Sequence, residues 1–274
     1  MSEMSYGLTY SAYHLDDFQR CPRLWDLKHR WYEPEPINGV SLVLGAAVAA
    51  GLCLLRRGQS MEVAQQASKE VLINRAQELG NEWTDEGVWR HIVAALKVGI
   101  TTNLGLKTII SADQKKYGRC RPDVVGRTYD GSLRIVDDKV KLKLDPRYKD
   151  EALSEFKHSN QLYEYAWEVG RYYNEPVTSV GVNLIICSPK VDAIFYPIVI
   201  TPEAVAQWAE SAQLDFDEMS SIESGIAYPR RRWTSCTSKY NKPGSMEKAL
   251  CPMHVLCHDL AGQEDKADTF YERK

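Results

Sequence analysis

The sequence predicts an α/β protein with a central mixed sheet flanked by helices. Apolar residues recur at helical spacing up to about residue 104 and alternate as in strands from residue 107 to residue 144. Beyond residue 144, helical and strand-like stretches follow one another up to residue 223. The predicted helices cover residues 11–32, 41–57, 60–80, 84–104, 150–173 and 202–223. The predicted strands cover residues 107–112, 117–127, 132–144, 177–187 and 191–199.

Composition narrows the class of protein. The chain has 274 residues, of which 44% are hydrophobic, enough for a substantial core. The longest apolar stretch, Val43 to Leu55, falls short of the roughly 20 residues that span a bilayer. The N-terminus carries no basic region ahead of an apolar segment, so we expect a cytoplasmic protein without membrane contact. The net charge of −3 argues against a protein that coats nucleic acid nonspecifically, but it permits a local basic groove.

Three regions are predicted along the chain. Residues 1–32 form an N-terminal helical region, and residues 33–224 form the α/β core. Residues 225–274 are rich in Cys, Pro, Lys and Trp, and they look like a small appendage held by a metal rather than a packed layer.

The seven cysteines divide into two groups. An odd number in a cytosolic chain argues against a disulfide framework. Cys53 and Cys187 lie in apolar runs and are predicted core residues, and nothing near Cys120 indicates a nucleophile. The remaining candidates for metal ligands are Cys21, Cys236, Cys251 and Cys257. Four thiolates suit either a [4Fe–4S] cluster or Zn²⁺.

A group of charged residues surrounds a predicted hairpin. Asp123 precedes a turn at residues 129–132, and Asp137 and Lys139 follow on the facing strand. Residues two apart share one face of a strand, so Asp138 is expected to point the other way. Converging carboxylates repel unless a cation neutralises them, and Mg²⁺ and Mn²⁺ prefer such ligands. The alternative is an exposed edge hairpin without chemistry.

This arrangement, with Pro122 before Asp123 and the run Asp137-Asp138-Lys139, resembles the motif that names the PD-(D/E)XK nuclease superfamily. The resemblance implies a restriction-endonuclease-like core in which the two acidic residues hold Mg²⁺ or Mn²⁺, the backbone carbonyl of Asp138 assists, and the lysine supports hydrolysis. Two residues on the following helix, Gln161 and Tyr165, are similar to the Gln-x-x-x-Tyr motif of RecB-like members. There the motif supports the active site or contacts DNA.

One N-terminal and three C-terminal cysteines resemble the arrangement of the iron–sulfur members, including Cas4-like and AddB-like nucleases. The resemblance implies a structural [4Fe–4S] cluster that joins the two ends of the chain. The interval from Cys236 to Cys251 is longer than in Cas4-like proteins, and we interpret residues 237–250 as an inserted loop.

One position departs from the pattern. RecB-like nucleases carry a metal-binding histidine in a Gly-x-x-x-His helix motif, and here Ala49 follows Gly45 at that spacing. Another oxygen ligand in its place, an inactive protein of the same fold, and an engineered substitution are all compatible with the sequence.

The resemblance implies a DNA exonuclease that acts on single strands or free ends, with protein partners in recombination, repair, phage replication or CRISPR adaptation. Two other functions stay open. One is a DNA-binding or assembly subunit with a vestigial site, and the other is a binding module held together by zinc.

Overall fold

The structure is a computed structural model. The chain divides into two compact units. It describes residues 10–33, 40–78, 86–112, 115–142, 144, 149–157, 159–187 and 190–229, with the strand pairs 240–241, 248–249 and 272–273. The central unit comprises residues 39–207, and the terminal unit combines residues 1–38 with 208–274. The regions predicted at 1–32, 33–224 and 225–274 stay a prediction.

The helices and strands follow the predicted order closely. The helices are α1 Ala12–Arg20, α2 Pro22–Asp26, α3 Val40–Arg56, α4 Met61–Glu78, α5 Glu86–Thr101, α6 Lys149–Phe156, α7 Asn160–Tyr173 and α8 Pro202–Glu223, and a π-helical turn covers Leu27–Trp31. The strands are β1 Tyr32–Glu33, β2 Thr108–Ser111, β3 Val124–Arg127, β4 Leu133–Lys141, β5 Val177–Ile186, β6 Asp192–Val199, β7 Tyr240–Asn241, β8 Lys248–Ala249 and β9 Glu272–Arg273.

A five-stranded mixed sheet in the order β2-β3-β4-β5-β6 forms the middle of the central unit. The pair β4–β5 is parallel, and the other three pairs are antiparallel. The link from β4 to β5 contains α6 and α7, as a parallel pair requires a crossover connection. The predicted α/β class with a mixed sheet is confirmed.

Helices cover both faces of this sheet. Helix α7 packs on one face, whereas α3 and α5 pack on the other. The consecutive residues Leu184 and Ile185 of β5 belong to the two different cores, because successive side chains of a strand point to opposite faces. This burial on both sides explains why β5 reads as a continuous apolar run. Of the helices in the described part of the chain, none has both the length and the apolar character to cross a lipid bilayer.

Three predicted elements are shorter or interrupted. The helix predicted at 11–32 breaks at Cys21, whose backbone is extended because proline at position 22 disfavours a helical conformation in the residue before it. The strand predicted at 117–127 starts only at Val124, after a tight turn with Gly118 at φ +54°. The helix predicted at 150–173 is two helices, α6 and α7.

Hydrogen bonds join the N-terminal residues to the second part of α8 in the terminal unit. The Tyr10 hydroxyl donates to Glu223 Oε2 at 2.6 Å, and Gln19 Nε2 donates to Asp215 Oδ2 at 2.9 Å. Within the N-terminal part, Asp17 Oδ2 lies 2.7 Å from Lys28 Nζ and 2.8 Å from His29 Nε2. Residues 10–31 and the second part of α8 therefore form one folded body.

Candidate active site

The hairpin of β3 and β4 brings two candidate carboxylates together. Val124 pairs with Val136, so the antiparallel register places Asp123 opposite Asp137 one position further. The turn between the strands contains Gly131 at φ +90°, a conformation that favours glycine. The backbone N–H of Asp138 donates to Asp123 Oδ2 at 2.7 Å and fixes this carboxylate across the hairpin.

Asp137 and Lys139 lie on the same face of β4, as the two-residue spacing predicts. Asp137 is only 3% exposed, and Lys139 Nζ lies 2.7 Å from its Oδ2 atom. This close contact gives the buried carboxylate a counter-charge. A carboxylate has about four lone-pair sites on its two oxygens, so the contact with the lysine leaves acceptor capacity for a further ligand.

A chain of hydrogen bonds runs from the lysine to helix α7. Lys139 Nζ donates to Gln161 Oε1 at 2.7 Å, and Gln161 Nε2 donates to the Tyr165 hydroxyl at 2.7 Å. The Tyr165 hydroxyl in turn lies 3.5 Å from the carbonyl oxygen of Arg121. Because Gln161 and Tyr165 are one helical turn apart, α7 presents both to the hairpin. This chain of contacts restricts the position of the lysine ammonium.

Asp138 points to the opposite face, where it meets two partners that the sequence analysis missed. Both terminal nitrogens of Arg56 donate to its carboxylate, and Asn183 Nδ2 donates to Oδ1 at 2.7 Å. The side chains of Arg56 and Asp138 are 2% and 1% exposed. The sequence contains only an indirect indication of Arg56. A buried charge requires a partner of opposite charge, and Arg56 lies near the end of the helix predicted at residues 41–57.

Crowding of negative charge perturbs the carboxylates. Burial, with the neighbouring carboxylates of Asp138 and Asp137, raises the pKa of Asp123 to about 8. Burial also raises the pKa of Asp137, although Lys139 opposes that shift. Without a further cation, the site therefore disfavours full ionisation of both groups.

The donor set fits a hard divalent cation. Carboxylate oxygens from Asp123 and Asp137 are the ligands that Mg²⁺ and Mn²⁺ prefer, and each carboxylate has more lone pairs than the contacts described for it use. In the described part of the chain, no three His, Cys, Asp or Glu side chains cluster as metal ligands. Because Arg56 and Asn183 bind the carboxylate of Asp138, only its backbone carbonyl stays a candidate ligand.

Ala49 lies in the middle of α3 and offers no ligating atom. It precedes Arg56 by seven residues, which is two helical turns, so both lie on about the same face of α3, roughly 10 Å apart along its axis. That face reaches the sheet at Asp138.

The predicted cluster cysteines are described only in part. Cys21 is buried at 4% exposure between α1 and α2. Cys236, Cys251 and Cys257 lie outside the described residues. The four-cysteine site therefore stays a prediction.

Comparisons with known proteins show a similarity to a solved structure. No model of a protein family matches this chain, and no curated protein matches it. The chain is similar to the crystal structure of a "Putative exonuclease" from Eubacterium rectale, with a TM-score of 0.39 and 16% sequence identity. The match covers 84% of this chain and 89% of that chain.

Proposed function

We propose that this protein is a deoxyribonuclease that depends on Mg²⁺ or Mn²⁺ and hydrolyses phosphodiester bonds. One observation carries the proposal. The Asp137 carboxylate is buried, Lys139 Nζ lies 2.7 Å from its Oδ2 atom, and Asp123 faces it across the hairpin. An exposed structural hairpin would have no reason to bury these charges together.

Each residue has a proposed role. Asp123 and Asp137, with the backbone carbonyl of Asp138, would hold the cation. When bound, the cation would polarise a phosphate oxygen and lower the pKa of a water molecule. Lys139 would orient the attacking water and offset charge on the phosphate, while Gln161 and Tyr165 hold its ammonium in position. The water oxygen would form a bond to phosphorus, and the P–O bond to the leaving sugar oxygen would break, that oxygen then taking up a proton.

The finer assignments follow from the sequence resemblance. We propose exonuclease action on single-stranded DNA or free ends, as in Cas4-like and RecB-like nucleases, with protein partners in DNA processing. We also propose that Cys21, Cys236, Cys251 and Cys257 bind a structural [4Fe–4S] cluster. Anaerobic purification tests the cluster: a brown protein with equal iron and sulfide supports it, whereas a colourless protein with one zinc contradicts it.

Cleavage of end-labelled DNA with Mn²⁺ tests the activity. The Lys139→Ala variant should lose at least 100-fold in rate, since the lysine acts on the reacting groups. The matched control is Lys141→Ala, which removes an exposed lysine two residues further along β4 and should cleave like the parent. Titration calorimetry with Mn²⁺ in the absence of DNA should detect metal binding to the parent protein. The Asp137→Asn substitution should abolish that binding.

The absent histidine favours a second candidate, a DNA-binding or assembly subunit with a vestigial site. The Ala49→His variant separates the two. If neither the parent nor Ala49→His cuts DNA while both bind it, the subunit is the correct assignment. Cleavage by the parent, increased in Ala49→His, supports the nuclease.

A further inference from the structure

Residues 115–121 form a basic loop immediately before the candidate site. The segment contains four exposed cations, Lys115, Lys116, Arg119 and Arg121, and no acidic residue. It ends two positions before Asp123. In a chain with a net charge of −3, this is a local concentration of positive charge beside proposed phosphodiester chemistry.

The basic loop has a fixed shape. The backbones of Tyr117 and Cys120 exchange two hydrogen bonds of 3.0 Å, and Gly118 between them adopts φ +54°. Both side chains are buried, at 0% and 4% exposure. Because the buried residues hold the turn, the backbone that carries the exposed cations already has a defined conformation. Binding to such a preorganised surface costs less conformational entropy.

An aromatic side chain lies beside the basic loop. Tyr172, at the end of α7, is 54% exposed. Lys115 Nζ lies 2.8 Å from its hydroxyl and 4.4 Å from its ring centroid, and the ring of Tyr117 packs edge-on at 5.0 Å. Positive charge that follows a backbone, combined with an aromatic ring for bases, is how proteins bind single strands without sequence preference.

The basic loop is also connected to the candidate site. The carbonyl oxygen of Arg121 lies 3.5 Å from the Tyr165 hydroxyl, which is hydrogen-bonded to Gln161 and through it to Lys139. Glu164 and Glu168 are acidic neighbours of Cys120 in the loop, and burial raises the pKa of the Glu168 carboxyl. The loop has four cations against these two carboxyl groups.

We propose that the basic loop and Tyr172 bind a single-stranded DNA segment that leads into the candidate site. The cations contact its phosphates, and a base stacks on Tyr172. This inference rests on the proposed nuclease function and adds the part of the surface that holds the strand.

Fluorescence anisotropy with a labelled single-stranded oligonucleotide in EDTA tests the inference, because chelation keeps binding separate from cleavage. The double variant Lys116→Gln/Arg119→Gln should bind about tenfold more weakly. The double variant should also make the slope of log affinity against log salt concentration less steep by about 1.4, since each single-strand phosphate contact contributes about 0.7. The matched control is Lys69→Gln/Arg75→Gln, which removes the same charge from exposed positions on α4 and should leave the slope unchanged.

Tyr172 variants test the stacking. Tyr172→Ala should weaken binding to the single strand by about tenfold, and Tyr172→Phe should restore most of it, because the ring supplies the contact. Equal losses in the loop and control double variants, or equal binding by Tyr172→Ala and its parent, would overturn the inference. Strand binding that depends on the loop in a protein that cleaves nothing would instead reject the nuclease proposal and keep this one.

Discussion

Removal of one partner from the Arg56–Asp138 ion pair should destabilise the protein strongly. Both side chains are almost completely buried, and Asp138 accepts two hydrogen bonds from Arg56 and one from Asn183. The Arg56→Met variant leaves a buried carboxylate with one neutral donor. Breaking a buried pair in this way costs about 3–5 kcal/mol, which is a large part of the roughly 5–15 kcal/mol that stabilises a typical domain.

The double variant Arg56→Met/Asp138→Leu should destabilise the protein less than Arg56→Met does. It removes both charges and leaves only the Asn183 amide without its acceptor, at about 1–3 kcal/mol. We therefore expect the double variant to be more stable than Arg56→Met alone. This non-additivity is the signature of two groups that interact directly.

Urea unfolding at pH 7 in EDTA, followed by circular dichroism, measures these free energies. The matched control is Arg127→Met, which breaks a pair with Glu175 of similar 2.8 Å geometry but 37% and 35% side-chain exposure. Solvent screens that pair, so its loss should cost less than about 1 kcal/mol. The reasoning fails if Arg56→Met costs no more than Arg127→Met, or if the double variant loses the sum of its single variants.

Three further changes test other parts of the fold and site. Gly51→Ala would place a Cβ atom 2.4 Å from the Ser68 hydroxyl and should cost about 1–3 kcal/mol in urea unfolding, whereas Gly45→Ala meets nothing within 4 Å and should be neutral or stabilising; equal effects would contradict the packing. Burial alone would raise the pKa of Asp17, but its two basic partners lower it, so its stabilising charge is present above the ordinary value of 3.8 and is lost as the pH falls through the lower folded-state value. Thermal unfolding from pH 7 to pH 2 should therefore show a flatter acid limb for Asp17→Asn, and an unchanged limb would reject this role. Tyr165→Phe should cost only about 0.5–1.5 kcal/mol yet lower kcat for DNA cleavage about tenfold with KM unchanged, and a parallel rise in KM would indicate a binding role instead.

The hairpin could be predicted because its determinants are local. Alternation along β4 assigns Asp137 and Lys139 to one face, and Asp130-Gly131 marks the turn. The same alternation sends Asp138 the other way. All three orientations are as predicted, since each depends on neighbouring residues alone.

The partners of Asp138 could not be predicted in the same way. Arg56 is 82 residues away and Asn183 is 45 residues away in sequence, and only the packing of α3 and β5 around β4 brings them together. Local chemistry also overrode periodicity at Cys21, where the next residue, proline, breaks an otherwise continuous helical pattern.

The alternation of charges in β4 restricts how this strand can change during evolution. Asp137 and Asp138 point to opposite faces of the sheet, where Asp137 contacts Lys139 and Asp138 contacts Arg56. A one-residue insertion or deletion before them would turn Asp137 and Lys139 together towards Arg56 and turn Asp138 away from it. We therefore expect homologous chains to tolerate substitutions in this strand more readily than any change in its length.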